Sequence, residues 1–306
     1  MVEIWKATGS HPKGCDPFSF KEGKSLKRID KLVRSFVDEA MSEGFELFLS
    51  PETEALRDLS QINDSVVFFQ AKGGGLFKMR NDYTTSVVEF YNKNRSDTLR
   101  VWYSGFVYRY DQTGQIQNTF QLGLEIVPYN SPQDSFVVLK VMLASILRSL
   151  TDQLLVEVGD SRVIERCIQH VPKKFRKKLL ELVDRKDVSE LEFFASLNNL
   201  DLKDVLKLVE ASFTKRSVNQ LKEFELDPSI EREIVELVEF LSKYPGVTVE
   251  IDFSLARTVE EYDGPTFILF DLKDPALIAA GGRYRVNENT LGVGGTIFVE
   301  ERTWSS

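Results

Sequence analysis

Residues 116–127 alternate apolar and polar side chains with a period of two, which is typical of a β-strand. One face of this strand carries Phe120, Leu122, Leu124 and Ile126, and the other carries Gln121, Gly123 and Glu125. A short polar turn joins it to a preceding strand in which Arg109 alternates with aromatic residues. Two interpretations of the polar face remain open. Antiparallel sheets often expose one face to water, whereas a small-molecule site could use the space beside Gly123 for its ligand.

The N-terminal third of the chain shows one strong helical pattern. From Ser25 to Gly44 apolar residues recur at intervals of three and four, and Gly44 stands where a helix would end. The next run, "FELFLSPETEA", predicts a short strand ended by Pro51. Gly73, Gly74 and Gly75 then separate two strand-like runs. They lack the Gly-Lys-Ser/Thr ending of a phosphate-binding loop, so we predict a hairpin turn.

The following elements complete a mixed pattern. "DYTTSVVEFY" predicts a helix, "LRVWY", "FVYRY" and "FQLGLEIV" predict strands, a helix follows from about Asp134 to Leu150, and "LLVEV" predicts another strand. A helix, an antiparallel meander and a second helix against it indicate the α+β class, with a mainly antiparallel sheet flanked by helices.

The pattern changes at about Ser161, where helical repeats begin and continue to Tyr244 without a candidate strand. Strands return in "VTVEIDF", "TFILFDL" and "LIAAGG". We interpret 1–160 and 246–306 as one core and 161–245 as an all-helical insertion, because the last strands look too few and too short to form a stable sheet alone. Two sequential domains are the alternative.

Composition narrows the class of function. The net charge of −8 disfavours nucleic-acid binding, which needs clustered Lys and Arg. Two histidines and two cysteines, Cys15 and Cys167, support neither a metal site nor a disulfide framework. No window is apolar enough to span a membrane, and the N-terminus lacks the apolar core of a secretory signal. We therefore expect a cytoplasmic protein without a metal or other cofactor.

Four segments together carry a family resemblance: "MRNDYTT" at 79–85, "VYRYDQTGQIQNTFQLGLE" at 107–125, "LARTVEEYDGPTF" at 255–267 and "AAGGRY" at 279–284. Their order and spacing resemble the catalytic core of histidyl-tRNA synthetase, a class II aminoacyl-tRNA synthetase. The resemblance is closer to the non-synthetase branch, the regulatory subunits of ATP phosphoribosyltransferase. It spans nearly the whole chain and is weakest in the helical insertion. A class II synthetase-like core is the implied fold.

The resemblance also implies a site for free L-histidine. The implied histidine-binding residues are Asp82, Thr84, Arg109, Gln121, Glu125, Arg257 and Tyr262. By this resemblance Asp82, Thr84 and Gln121 would contact the α-ammonium group. These residue types suit that role, since an ammonium group needs hydrogen-bond acceptors.

The other end of the zwitterion and the ring complete the implied site. Arg257 would bind the carboxylate, for which a guanidinium is a forked donor, and Arg109 matches the motif-two arginine. Glu125 and Tyr262 would address the imidazole, because a carboxylate favours the protonated ring. Alternatives remain for these residues. Arg257 and Glu125 could form an internal salt bridge, Tyr262 could belong to the core, and Arg283 in "GGRY" could support the sheet.

Several positions depart from the synthetase pattern. Gln115 and Gln117 stand where synthetases carry basic residues in the motif-two turn, and Glu261 replaces the first tyrosine of a Tyr-Tyr pair. An ungapped alignment places Glu301 at the ATP-binding arginine of motif three, although a shift of one residue would restore Arg302. The sequence ends at Ser306, where a synthetase would continue into an anticodon-binding domain. We therefore expect no tRNA binding.

These features together predict a non-catalytic regulatory subunit rather than an enzyme. The resemblance implies that it pairs with the short-form catalytic subunit of ATP phosphoribosyltransferase, activates it, and helps to transmit feedback inhibition by histidine. A homodimer through the N-terminal helix and the strand that follows is also implied. The rival hypotheses are a minimal enzyme that activates histidine with ATP, and a scaffold or binder of another amino acid.

Overall fold

The computed structural model describes residues 24–56, 65–94, 98–111, 113–213, 226–255, 262–274 and 276–299. Its helices are α1 (Lys24–Ser42), α2 (Tyr83–Asn94), α3 (Pro132–Ser149), α4 (Ser161–Ile168), α5 (Lys173–Asp184), α6 (Val188–Asn198), α7 (Lys203–Ser212) and α8 (Pro228–Leu241). Its strands are β1 (Glu46–Leu47), β2 (Thr53–Ala55), β3 (Phe68–Gln70), β4 (Leu76–Met79), β5 (Leu99–Tyr110), β6 (Ile116–Val127), β7 (Leu154–Asp160), β8 (Val247–Ile251), β9 (Tyr262–Asp271), β10 (Leu277–Asn287) and β11 (Thr290–Val299). None of the helices within these ranges is long and apolar enough to cross a membrane.

Eight strands form one sheet in the order β1-β5-β6-β11-β10-β9-β7-β8. The pairs β1–β5 and β7–β8 are parallel, and the other neighbours are antiparallel. Strands β2, β4 and β3 form a second, small sheet. The helix predicted before Gly44 is α1, and Gly44 has the positive φ of +79° expected beyond a helix end.

The predicted bounds of several strands were wrong. The runs "LRVWY" and "FVYRY" belong to the single 12-residue strand β5, which passes through Gly105 at φ +152°. The run before Pro51 contributes only the two residues of β1, and the residues after it form β2 in the small sheet. The C-terminal strands are not short. Strands β9, β10 and β11 have 10, 11 and 10 residues and lie inside the large sheet.

The two faces of the large sheet are covered differently. Leu122, Leu124 and Ile126 face the main core with α1 and α3, and a Cβ at Gly295 would overlap Met142 of α3. The opposite face meets α2 through a second apolar cluster that includes Val87 and Tyr284. Each face of the sheet is therefore covered, and the elements over the second face position the candidate site.

The predicted insertion, 161–245, contains α4 to α8, and its described residues include no strand. Its buried residues, for example Leu179 and Leu237, belong to the same apolar cluster as Leu122 of the sheet. Helix α8 is also tied to the sheet by ion pairs, described below. One continuous apolar core therefore includes residues of both parts. The division into a core and an insertion remains a prediction.

Candidate ligand-binding site

The polar face of β6 is buried. Gln121 is 5% exposed and Glu125 is 1% exposed, because α2 and the aromatic residues Tyr83 and Tyr103 cover this side of the sheet. The interpretation of a water-exposed face is therefore wrong. Burying polar groups at such positions is unfavourable unless they are paired or serve a ligand.

The space beside Gly123 is filled by the protein itself. A Cβ at Gly123 would overlap the ring of its cross-strand neighbour Tyr103. That ring is fully buried and stacks on Tyr83, with the two ring centroids 4.1 Å apart. Its hydroxyl lies 2.9 Å from Oγ1 of Thr296. The interpretation that Gly123 leaves room for a ligand is therefore wrong for this structure, since the glycine accommodates Tyr103.

Glu125 is the most unusual residue of this face. Its Oε1 accepts hydrogen bonds from the hydroxyl of Thr84 at 2.6 Å and from that of Tyr103 at 3.4 Å. Its Oε2 is buried and has no hydrogen-bond partner. The carboxyl group lies over Gly294 of β11, where any Cβ would overlap it. The hydroxyl of Tyr284 is a further polar neighbour of this carboxyl group.

The surroundings favour the neutral form of this carboxyl group. Burial raises the pKa of Glu125 to about 8, hydrogen bonds from Thr84 and Tyr284 oppose that rise, and the negative charge of Asp82 adds to it. In the ligand-free protein at neutral pH, Glu125 is therefore mainly protonated. A buried, protonated carboxyl group can both donate and accept hydrogen bonds.

Asp82 and Thr84 meet Glu125 because α2 begins between them. Asp82 accepts hydrogen bonds from the backbone N–H groups of Thr84 at 3.2 Å and Thr85 at 2.9 Å, which makes it the N-terminal cap of α2. The same turn points the hydroxyl of Thr84 at Glu125. The cap thus places Asp82 and Thr84 next to Glu125, although they lie 43 and 41 positions before it in the chain.

The other predicted histidine-binding residues differ in their burial and contacts. Arg109 is exposed, and its Nε donates to the carbonyl of Asn81 at 2.9 Å, so it reaches the residue before Asp82. Gln121 lies on the same face of β6 as Glu125. Tyr262 begins β9 opposite Tyr284 and packs against the second apolar cluster. Arg257 lies outside the described residues, as does Glu261, so the alternative pairing of Arg257 with Glu125 stays open.

Sequence reasoning missed Arg80, which is 5% exposed at the edge of this face. Its Nε and Nη2 donate to the carbonyl of Phe106 at 3.1 and 2.8 Å, and its Nη1 donates to the carbonyl of Ser50 at 2.8 Å. The guanidinium also lies 4.1 Å from the ring centroid of Tyr83. Arg80 therefore holds the covering segment against β5. Its place in "MRNDYTT" was the available signal, although only folding shows that it is buried.

Arg283 supports the sheet, as one alternative proposed. Its Nε donates to the carbonyl of Asp263 at 2.6 Å, and its Nη1 pairs with Oε2 of Glu233 in α8 at 3.0 Å. Arg162 binds the same carboxylate oxygen at 3.0 Å and also pairs with Asp160 at 2.6 Å. We name these four residues, Asp160, Arg162, Glu233 and Arg283, the α8 ion-pair network.

Other features of the described residues lie away from this face. A cavity of about 480 Å³ at the end of α3 is lined by residues such as Arg148, Thr151 and Lys273 and includes none of the predicted site residues. Within the described ranges, no three His, Cys, Asp or Glu side chains are grouped as a metal site. The candidate site is therefore the face that contains Asp82, Thr84, Gln121 and Glu125.

Comparisons with known proteins agree with this architecture. A family model described as histidyl-tRNA synthetase matches residues 19–301. The ATP phosphoribosyltransferase regulatory subunit of Thermotoga maritima is 38% identical over 89% of this chain and 97% of its own length. The histidine–tRNA ligase of Methanocaldococcus jannaschii is 23% identical over 92% of this chain and 70% of its own length.

A solved structure is also similar to this chain in fold and sequence. A chain of the ATP phosphoribosyl transferase complex from Thermotoga maritima superposes with a TM-score of 0.76 at 37% identity, covering 89% of this chain and 97% of that one. The sheet and its helices define a class II aminoacyl-tRNA synthetase-like core, which confirms the predicted fold class. The chain belongs to the histidyl-tRNA synthetase family and, within it, to the regulatory subunits of ATP phosphoribosyltransferase. Its role is accordingly regulatory and not catalytic.

Proposed function

We propose that this chain binds the short-form catalytic subunit of ATP phosphoribosyltransferase, activates it, and conveys feedback inhibition by free histidine bound on the polar face of β6. Membership of the regulatory-subunit family supports the assembly, since the similar Thermotoga maritima chain was solved in a complex. The observation that carries the ligand assignment is the buried carboxyl group of Glu125, with its raised pKa and with Thr84 and Asp82 beside it.

The site has complementary groups for each part of a histidine zwitterion. Asp82, Thr84 and Gln121 supply acceptors for the α-ammonium group. Arg257 and Arg109 would supply forked donors for the carboxylate. Two predicted residues then remain for the ring, Glu125 and Tyr262. Entry of a neutral imidazole allows the proton of Glu125 to move to the ring nitrogen, which leaves a carboxylate paired with an imidazolium.

Regulation requires that histidine bind with different free energies to the active and inhibited assemblies, because a ligand with equal affinity for both shifts neither. A coupling free energy of about 1–3 kcal/mol is typical of allosteric proteins. The site is suited to such coupling, since ligand entry requires Tyr103, Thr84 and the start of α2 to adjust around a closed face.

The proposal is tested by reconstitution with the short-form catalytic subunit from the same organism. We expect wild-type protein to raise transferase activity and to make it sensitive to histidine. Glu125→Ala should still activate but should bind histidine about 10–100-fold more weakly, because a charge-assisted hydrogen bond is lost. Titration calorimetry measures the affinity, and circular dichroism checks the fold. Activation without histidine binding would refute the ligand assignment, whereas histidine-dependent exchange of pyrophosphate into ATP would favour the adenylating enzyme.

We also propose a homodimer through α1 and β1. Met41, Leu47 and Leu49 are exposed there, with Leu49 at 82%, and β1 is an edge strand of the large sheet. Exposed apolar residues along a sheet edge are typical of an interface. We expect Leu49→Glu to convert the dimer to a monomer in sedimentation velocity. Leu197→Glu is the control, since Leu197 is 71% exposed on α6. Equal sedimentation of both variants would contradict this interface.

A further inference from the structure

Helix α6 carries an apolar stripe on its outer face. Phe193 and Leu197 are 69% and 71% exposed and lie one turn apart, so their side chains are neighbours on the helix surface. The opposite face of α6 packs inward through the buried Leu191. Among the exposed large apolar side chains of the described residues, only that of Leu49 has a greater exposed fraction. A contiguous exposed apolar group of this kind is typical of an interaction surface.

Basic side chains edge one end of this stripe. Four exposed lysines occupy the first half of α5: Lys173, Lys174, Lys177 and Lys178. Only residues 185–187 separate α5 from α6, so the two helices form an antiparallel hairpin in which the start of α5 lies beside the end of α6. The ring of Phe175 accordingly contacts that of Phe194, with the centroids 5.9 Å apart, and Nζ of Lys174 lies 4.7 Å from the centroid of the Phe175 ring.

The lysines do not stabilise α5 itself. A helix N-terminus carries a partial positive charge, which acidic side chains stabilise and basic ones destabilise, and the first turn of α5 contains no acidic residue. Arg176 has a structural role, since it donates to the carbonyls of Val171 and Gln169 at 2.9 and 2.7 Å. The carboxylates of Glu190 and Glu192 lie in the first half of α6, nearer the other end of the hairpin. The four lysines therefore form a positive surface in a chain whose net charge is −8.

Two contacts hold the turn of this hairpin in place. Lys186 has a positive φ of +55°, and its Nζ pairs with the buried carboxylate of Asp252 at 2.7 Å. Asp187 caps α6 by accepting a hydrogen bond from the backbone N–H of Glu190 at 3.0 Å. A surface that is held in this way before binding loses little conformational entropy when a partner binds.

We propose that the outer face of the α5–α6 hairpin, defined by Lys174, Lys178, Phe193 and Leu197, is the surface that binds the short-form catalytic subunit. This inference rests on the proposed function. The catalytic subunit is expected to place apolar side chains over the stripe and carboxylates opposite the lysines, because a desolvated apolar centre and complementary charge give affinity and specificity at interfaces. The hairpin face shares no residue with the α1 and β1 surface proposed for the homodimer, so the two contacts can be tested separately.

The first test measures binding to the catalytic subunit of the same organism, immobilised for surface plasmon resonance. Phe193→Ser and Leu197→Ser, made singly, should each weaken binding about 10–100-fold, since a few central apolar contacts dominate interface energies. Leu272→Ser is the matched control, because Leu272 is exposed beyond the end of β9 and outside the hairpin. The two α6 variants should keep the melting temperature, sedimentation and histidine affinity of the wild type, because the replaced side chains are exposed.

Charge reversal tests the chemistry of the partner. Lys174→Glu combined with Lys178→Glu should lower the association rate at low salt by about tenfold and should weaken its dependence on salt concentration. Lys93→Glu combined with Lys243→Glu is the control, since it makes the same change in net charge on exposed side chains of α2 and the end of α8. The control should change the association rate much less.

The outcomes separate this inference from the proposed function. Wild-type binding that none of the hairpin variants weakens overturns the surface and leaves the regulatory assembly standing. Weaker binding of the serine variants with an unchanged rate for the lysine reversal overturns the acidic partner surface. If Phe193→Ser or Leu197→Ser alters the sedimentation of the chain alone, the stripe joins copies of this chain and the inference is wrong. If the wild type does not bind the catalytic subunit, the proposed function and this inference both fail.

Discussion

Glu125→Gln is expected to stabilise the ligand-free protein by about 4 kcal/mol more at pH 8.5 than at pH 5. The reason is that burial raises the pKa of Glu125 from 4.5 to about 8. Below pH 4.5 the folded and unfolded chains both hold the proton. As the pH rises from 4.5 to 8, the unfolded chain releases it while the folded chain retains it, so wild-type stability falls across this window and then levels off. Glutamine does not titrate, so the Glu125→Gln variant does not lose stability across this pH range.

Urea unfolding of both proteins at the two pH values measures this difference. The amide can replace the neutral carboxyl group, since its oxygen can accept from Thr84 and its nitrogen can donate toward Tyr284. Glu192→Gln is the control, because Glu192 is exposed on α6 and should give the same effect at both pH values. Stability curves for wild type and Glu125→Gln that stay parallel from pH 5 to pH 8.5 would show that Glu125 is ionised in the folded protein.

The alternation of β6 was predictable from local sequence, and the role of its polar face was not. A period of two assigns Leu122 and Glu125 to opposite faces whatever the rest of the chain does. Whether the polar face is wet depends on α2 and on Tyr103, which come from other segments. Gly123 illustrates the limit. A glycine shows that something approaches the backbone closely, but the sequence does not say whether that is a ligand or a tyrosine.

The candidate site was predicted through family resemblance, and residue pattern alone would not have assembled it. Asp82, Thr84 and Glu125 meet because a helix cap and a strand face coincide. Tyr284 was missed because its segment "GGRY" indicated only close backbone approach, and the strand register is what places its ring beside Glu125. Unpaired polar atoms are properties of the folded chain, and no sequence pattern contains them.

The α8 ion-pair network also depends on long-range assembly. Asp160 and Arg162 adjoin in sequence, but Glu233 and Arg283 come from α8 and β10. The Arg283 side chain is 7% exposed and that of Glu233 is 23% exposed. Because the Arg283 guanidinium covers Gly264, where a Cβ would overlap it, these charges cannot move freely away from each other. The network therefore links α8 of the predicted insertion to β10 of the large sheet.

Glu233→Ala is accordingly expected to destabilise the protein by about 3 kcal/mol, because it leaves the buried guanidinium of Arg283 without a carboxylate partner. Partial exposure of Glu233 keeps the loss at the lower end for buried pairs. Arg162 retains Asp160 and adds less to the cost. Urea unfolding measures the change, with Glu239→Ala as the control, since Glu239 is exposed on the same helix.

A double variant separates pairing from packing. Replacing both charges with apolar side chains, as in Glu233→Leu with Arg283→Met, removes the unpaired cation, so we expect it to recover most of the stability lost in Glu233→Ala. If the double variant is less stable than the single one, Arg283 contributes mainly through the carbonyl of Asp263 and its contact with the ring of Tyr129. Recovery would show instead that most of the cost of Glu233→Ala comes from leaving the charge of Arg283 buried and unpaired.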